Sequence, residues 1–435
     1  MFAKSLLVVL SCLVTFSVVS PAYAEDLVSA YMAAISFDPS YNAVKYEKAA
    51  DENISGQGRA LLLPSVFLGG SMSRTETDSD YYGDYTTKSL SISLNQPIFD
   101  AQRFFSWKQS KINAYKGMLK LRAAELDLAY RLTSAYMNVL KAQNQVHLRK
   151  AEADAARAYY LSARRLRESG EGTVTDVYTA EARMKIVEAS VVAAQNELKS
   201  AQNVLASITG RPIAVLRLRQ DIPLQRPNPA SVEEWIAIAK DKNPSIMLAK
   251  KDLEYVNAEL RKRQFEYAPT VNLGASSSKV EKDLITYSRT SDITVSSVGL
   301  NLRFPIFEGG VTQARVAEYK NRVAQYNKIL DSTITSVTTK VYNTFNTVNN
   351  LIEQINALKL AVNSAEVALE STKRSYQGGI RSMNDVISAT TEYYSALRNL
   401  SDAYCDYVIN VIALKAFSGV LTGDDISAVN QWLEK

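Results

Sequence analysis

Two stretches of the chain carry apolar residues on a three-four step with no proline to interrupt them, one over positions 98–211 and the other from Ile306 onward. In the first, Leu119, Ala123, Leu126, Tyr130, Thr133, Met137 and Leu140 keep this spacing, and Val177, Ala180, Met184, Val187, Val191 and Ala194 resume it. In the second, Leu330, Ile334, Val337, Val341, Thr344 and Val348 are followed by Val386, Ala389, Tyr393, Ala396, Leu400 and Ala403. A seven-residue repeat sustained this long specifies coiled-coil packing. It predicts long helices over about 102–169 and 173–209, and again over about 309–377 and 382–418. The first would be ~100 Å long at 1.5 Å per residue.

Elsewhere the period changes to two. Ser89-Leu90-Ser91-Ile92-Ser93-Leu94-Asn95 alternates polar and apolar strictly, and Val298-Gly299-Leu300-Asn301-Leu302-Arg303 repeats the pattern. Segments beginning at Pro64 and Pro269 alternate less cleanly. Two strand pairs are expected, over about 64–98 and 269–305, each strand long enough to cross a membrane at roughly 9–11 residues. Thr75 to Thr86 and Lys279 to Ser291, rich in Asp, Ser, Tyr and Gly, are expected to be exposed loops. Leu27 to Asp38 predicts a short amphipathic helix ending at Pro39.

These elements occur twice. Arg167-Glu-Ser-Gly-Glu-Gly-Thr-Val-Thr-Asp176 returns 209 residues later as Tyr376-Gln-Gly-Gly-Ile-Arg-Ser-Met-Asn-Asp385, and Thr209-Gly210 matches Ser418-Gly419 at the same offset. Gln96-Pro97-Ile-Phe-Asp100 matches Phe304-Pro305-Ile-Phe-Glu308 at 208. The chain past residue 24 is therefore a tandem duplication. Its repeats span 25–211 and 232–419, joined by a proline-rich linker at 212–231 and followed by a short C-terminal helix within 420–435.

Composition adds a compartment. Lys4, the apolar run Leu6 to Val19 and Ala22-Tyr-Ala24 have the layout of a secretory signal over residues 1–24. Its removal leaves Cys405 as the only cysteine, so stability must come from packing or subunit contacts, without an internal disulfide. No later segment has 18 consecutive apolar residues, which excludes a transmembrane helix bundle. The balance of 50 Lys and Arg against 45 Asp and Glu is too even, and too scattered, to argue for nucleic acid.

Nothing in the sequence looks catalytic. His147 is the sole histidine and lies mid-helix, Gly170-Glu-Gly172 lacks the ending of a phosphate loop, and Cys405 has no partner to hold a metal. No cofactor or metal site is expected, and the scattered Asp and Glu of the helices are most simply solvated faces. Four strands are too few for a closed spanning barrel, which needs at least about eight, so copies of the chain must pool them. Three copies leave a lumen that the alternating Ser and Asn would suit. A structural or adhesive coiled coil would explain the heptads and the signal, but not the strands.

A signal segment, a duplicated strand pair and proline-free hairpins together resemble the TolC family of bacterial outer-membrane channels over the whole mature chain. The most specific stretches are Leu94-Asn-Gln-Pro-Ile-Phe-Asp100, Leu302-Arg-Phe-Pro-Ile-Phe-Glu-Gly-Gly310, Tyr136-Met-Asn-Val-Leu140 and the two hairpin breaks. The resemblance implies a homotrimer with a twelve-stranded β-barrel in outer-membrane lipid, continued by a periplasmic α-helical barrel. The linker at 212–231 would lie in the equatorial region. Such channels dock with a periplasmic adaptor and an inner-membrane transporter of ABC, RND or MFS type, and export drugs or secreted proteins. It further implies a gate in which Tyr376 hydrogen-bonds Asp176, Arg381 reaches Thr175 and Asp176 of a neighbouring copy, and Asp385 forms an acidic ring. Ser169, Gly170, Glu171, Gly378, Gly379 and Ile380 would meet the adaptor. One departure stands out: Ser388 occupies a position where the family often has a second aspartate. From local chemistry alone, Asp176 and Asp385 would instead be helix-capping acids.

Overall fold

The computed structural model describes residues 24–78, 84–219, 222–284 and 289–434. The signal expected over 1–24 lies outside them apart from Ala24, which opens a two-residue strand, β1 (Ala24–Glu25). Then come α1 (Leu27–Phe37), α2 (Pro39–Ala60), β2 (Ser65–Thr75), β3 (Tyr85–Phe99), α3 (Ala101–Glu168) and α4 (Val174–Thr209). A short β4 (Ala214–Val215) pairs with β1, and the order repeats as α5 (Val232–Lys242), α6 (Pro244–Gln264), β5 (Thr270–Leu284), β6 (Arg289–Arg303), α7 (Val311–Gln377) and α8 (Met383–Phe417). Helix α9 (Gly423–Asn430) closes the described chain.

Helices α2 and α6 are absent from the periodicity reading, which took Pro39 as a stop. Each proline instead sits at the first helical position, where its missing N–H costs nothing. Asp38 accepts the Tyr41 N–H at 2.7 Å, and Asn243 accepts those of Ser245 and Ile246 at 2.8 and 3.2 Å. A helix ends and another begins within two residues.

The strands form one antiparallel sheet in the order β2-β3-β5-β6, so the two repeats join along β3 and β5. Three of the four are 15 residues long, and strand replaces much of what the sequence assigned to exposed loops. Cross-strand ion pairs extend the ladder there: Lys88 with Asp283 at 3.5 Å and Lys279 with Asp292 at 3.4 Å. The tips at 79–83 and 285–288 lie outside the described residues.

Register decides what each face of the sheet carries. Val66, Leu94, Ala275 and Val298 align on one side, as do Leu68 with Ile92 and Leu273 with Leu300. Serines predominate on the other: Ser71 Oγ lies 2.8 Å from that of Ser89, and Ser276 Oγ 3.0 Å from that of Ser297, while Ser277 and Ser296, 2.9 Å apart, continue the row of Leu68 and Ile92 on the apolar side. The apolar face is bare in the single chain, with Leu68 74% and Val298 77% exposed. An apolar face this open belongs against lipid or another chain.

The main core sits midway along the long helices. Leu128, Leu132, Tyr136, Leu140, Tyr407, Val408 and Ile412 are buried there with Leu27, Leu205 and Ile352. The linker is part of this core: Ile213, Val215 and Ile222 are buried in it. Tyr136 Oη accepts the Leu216 N–H at 2.9 Å, and Tyr407 Oη both accepts from the Gln225 N–H and donates to its carbonyl at 2.9 Å.

Candidate functional site at the paired hairpin turns

Both hairpins end in the same device. Helix α3 stops at Glu168, Gly170 adopts φ +85°, and the N–H groups of Glu171 and Gly172 fold back onto the Leu166 carbonyl at 2.9 Å. In the second hairpin Gly379 adopts φ +74°, and Ile380 and Arg381 donate to the Ser375 carbonyl at 2.9 and 3.3 Å. Positive φ is nearly free for glycine, and these bonds satisfy the last carbonyls of each helix. The next helix starts at once, capped by the Thr173 and Ser382 hydroxyls, which accept the N–H groups of Asp176 and Asp385 at 3.1 and 3.2 Å.

The two aspartates thus occupy the third helical position, and the caps themselves are Thr173 and Ser382. Asp385 Oδ2 accepts the Ser382 N–H at 2.9 Å and its hydroxyl at 2.8 Å, closing a capping box. These bonds, with the nearby charge of Arg381, hold its pKa below the usual carboxylate range. Asp176 Oδ2 accepts the Thr173 hydroxyl at 2.7 Å.

The bond implied between Tyr376 and Asp176 is not made within the described residues. The two are near enough for the Asp176 charge to reinforce burial, the larger cause, in raising the Tyr376 pKa. Arg381 and Thr175 are exposed, as are Ser169, Gly170, Glu171, Gly378, Gly379 and Ile380, the last at 81%. What brings the turns together is a residue the sequence reading passed over. Met383, 1% exposed, packs with Ala163, Val177 and Ala180 against Tyr376 and Ile387. Its place on the apolar step of α8, three residues before Val386, was the available signal.

Above the turns the expectation that helix carboxylates are solvated fails at Glu152, which is 1% exposed. Its Oε1 accepts from Arg183 of α4 at 2.6 Å, and its Oε2 accepts from Arg149 of α3 at 3.1 Å and Arg398 of α8 at 2.9 Å. Both hairpins therefore meet at one carboxylate. Among the described residues no group of His, Cys, Asp and Glu could hold a metal ion, and no helix is long and apolar enough to cross a membrane.

A two-faced sheet carried at one end of two hairpins whose longer helices run about 100 Å, with paired turns at the other end, defines a segment of a channel wall. The family model described as "Outer membrane efflux protein" matches residues 41–211 and 235–420, and the chain belongs to that family. It is 27% identical over 421 residues to the alkaline protease secretion protein AprF of Pseudomonas aeruginosa, covering 94% of this chain and 87% of that one. It is 28% identical over 442 residues to the outer membrane protein TolC of Escherichia coli, covering 99% and 90%. Its fold matches the CmeC outer membrane channel of Campylobacter jejuni with a TM-score of 0.80 at 16% identity, over 94% of this chain and 90% of that one. The protein is accordingly a non-catalytic export channel of the outer membrane that extends into the periplasm. Membership sets aside the adhesive coiled coil.

Proposed function

We propose that three copies assemble into one duct that carries substrates from an inner-membrane transporter, through a periplasmic adaptor, across the outer membrane. Each copy gives four strands to a twelve-stranded barrel and two hairpins to a periplasmic α-barrel. The observation that carries this is the sheet's two-faced register, with Leu68, Ile92, Val298 and Leu300 on one side and most of the serines on the other. Closing such a sheet puts the apolar side against lipid and the serines around water. The outer strands β2 and β6 have unpaired edges in the single chain, and lipid tolerates none. Eight strands from two copies would fill with side chains, whereas twelve leave a passage.

The paired turns form the gate. Thr175 and Asp176 serve as acceptors, Tyr376 and Arg381 as donors, and Arg381 reaches the neighbouring copy. Its exposure and the absence of an acceptor for its guanidinium among the described residues support that role. Asp385 supplies a single acidic ring, its carboxylate anchored by Ser382. The exposed tips at Ser169, Gly170, Glu171, Gly378, Gly379 and Ile380 receive the adaptor.

Replacing Asp176 and Arg381 together by Ala raises single-channel conductance in a planar bilayer. Unchanged conductance would sink the gate. The cargo follows the transporter: capture of an ABC exporter after in-cell cross-linking assigns the duct to protein secretion, and capture of a proton-driven pump assigns it to drug efflux.

A further inference from the structure

The seam between α3 and α8, which joins the two hairpins, changes character along its length. In its upper part it is apolar, with Leu132, Tyr136 and Leu140 buried alongside Tyr404, Val408 and Ile412. Below this the contacts are polar, one after another down the antiparallel pair, until Met383 packs on Ala163 near the turns. Lys141 Nζ meets Asp406 at 3.0 Å, Asn144 donates to Ser401 at 2.9 Å, and Gln145 donates to Asp402 at 3.0 Å. Arg398 then donates to Glu152 at 2.9 Å, and the Thr390 hydroxyl bonds that of Tyr159 at 3.3 Å. An apolar seam separates only at the full cost of exposing its surface, whereas polar rungs exchange their partners for water at little net cost. This polar stretch is the part that can part and close again, with only the small Met383 cluster beneath it to expose.

Within it the Glu152 rung is unlike the others. Three guanidinium groups converge on one carboxylate, and Arg183 also donates to Thr391 of α8 at 2.6 Å. Arg398 is 8% exposed, and burial, with Arg149 and Arg183 beside it, pushes its pKa down. The cations repel one another, and Glu152 is the carboxylate bonded to all three. The rung stands roughly 27 Å from Gly170 along α3, well removed from the turns.

We propose that Glu152 is a positioning residue for the gate: a latch that draws the second hairpin onto the first and sets the level below which the two part. This rests on the gate reading above. Arg398 is the half of the latch that lets go, because Glu152 keeps Arg149 and Arg183 inside the first hairpin when α8 leaves. Neutralising Glu152 does more than unlatch, since three cations then lose their shared carboxylate and repel one another across the seam.

Arg398→Met tests this directly: it removes the charged link, leaving only the hydrogen bond from Arg183 to Thr391 across this rung, fills the space and leaves no buried charge alone. In planar bilayers it should raise the open fraction on the order of tenfold, within the range usual for coupling between sites, while SDS-resistant trimers persist. Glu152→Gln should raise it further; if that variant fails to assemble, Arg398→Met decides alone. A bis-maleimide joining Tyr159→Cys to Thr390→Cys in the Arg398→Met background should restore low conductance, with buried Cys405 unreactive. Failure of that cross-link to reclose the channel overturns the latch. So does wild-type conductance of Arg398→Met when the Asp176→Ala, Arg381→Ala channel opens. Silence of both sets overturns the gate reading beneath it.

Discussion

Gly379 and Gly419 share a backbone conformation and differ in what surrounds them, which makes their alanine variants a controlled pair. Their φ angles are +74° and +79°. Alanine pays roughly 1–2 kcal/mol for that region at either position. A Cβ at Gly379 meets nothing within 4 Å, so the cost ends there. A Cβ at Gly419 would stand 2.7 Å from the carbonyl carbon of Lys242 and 2.9 Å from Asn243 Cα, and closer still to the Lys242 oxygen. Those atoms are backbone at the α5–α6 junction, where Asn243 donates to the Phe417 carbonyl at 2.7 Å and caps α6. Relief must move that junction, which adds about 1–3 kcal/mol of overpacking and about 1 kcal/mol for the strained bond. Gly419→Ala should therefore lose about 3–6 kcal/mol, against about 1–2 kcal/mol for Gly379→Ala. Urea unfolding in detergent, followed by far-UV circular dichroism, measures both. Equal losses, or a larger loss at Gly379, would refute the reasoning.

Two further outcomes follow from buried groups beside the seam. Cys405 is fully buried and its thiol is pushed up to about 12, chiefly by burial, so a maleimide at about pH 7.5 should label it only after denaturation; labelling of the native channel would place it elsewhere. Burial raises the pKa of Asp402 against the opposing effects of Lys141, Gln145 and Arg398, with Asp406 adding to the rise. The folded state then holds this proton to higher pH than the unfolded chain. The stability it contributes is complete below about pH 3.9 and is lost as pH rises through the folded pKa. Asp402→Asn should raise the thermal midpoint near neutral pH, with the gap closing toward about pH 4; a lower midpoint at neutral pH would contradict this.

The long helices and the strand pairs were legible because each is a periodic pattern that outlasts local noise, and the second copy repeats it. The turns were legible through Gly170 and Gly379, where the backbone needs a residue without a Cβ. Pro39 misled because proline stops one helix as readily as it starts the next, and only the capping bond of Asp38 distinguishes the two, as that of Asn243 does before Pro244 in the second repeat. Glu152 was hidden for a different reason. Arg149 is on its own helix, Arg183 on α4 and Arg398 on α8, so no window of sequence holds the cluster. Met383 stood in plain view on the apolar step, but its partners Ala163 and Val177 belong to the other hairpin.

Helices α3 and α7 are 68 and 67 residues long, and α4 and α8 are 36 and 35. This near-equality makes length a shared inheritance of the two repeats. Inserting one heptad into a single hairpin would carry its turn about 10 Å past the other. Met383 would lose Ala163 and Val177, and the rungs below the insertion would fall out of step. A descendant spanning a wider periplasm must therefore lengthen four helices together, so the depth of this compartment is written into the gene twice, and neither copy can be edited alone.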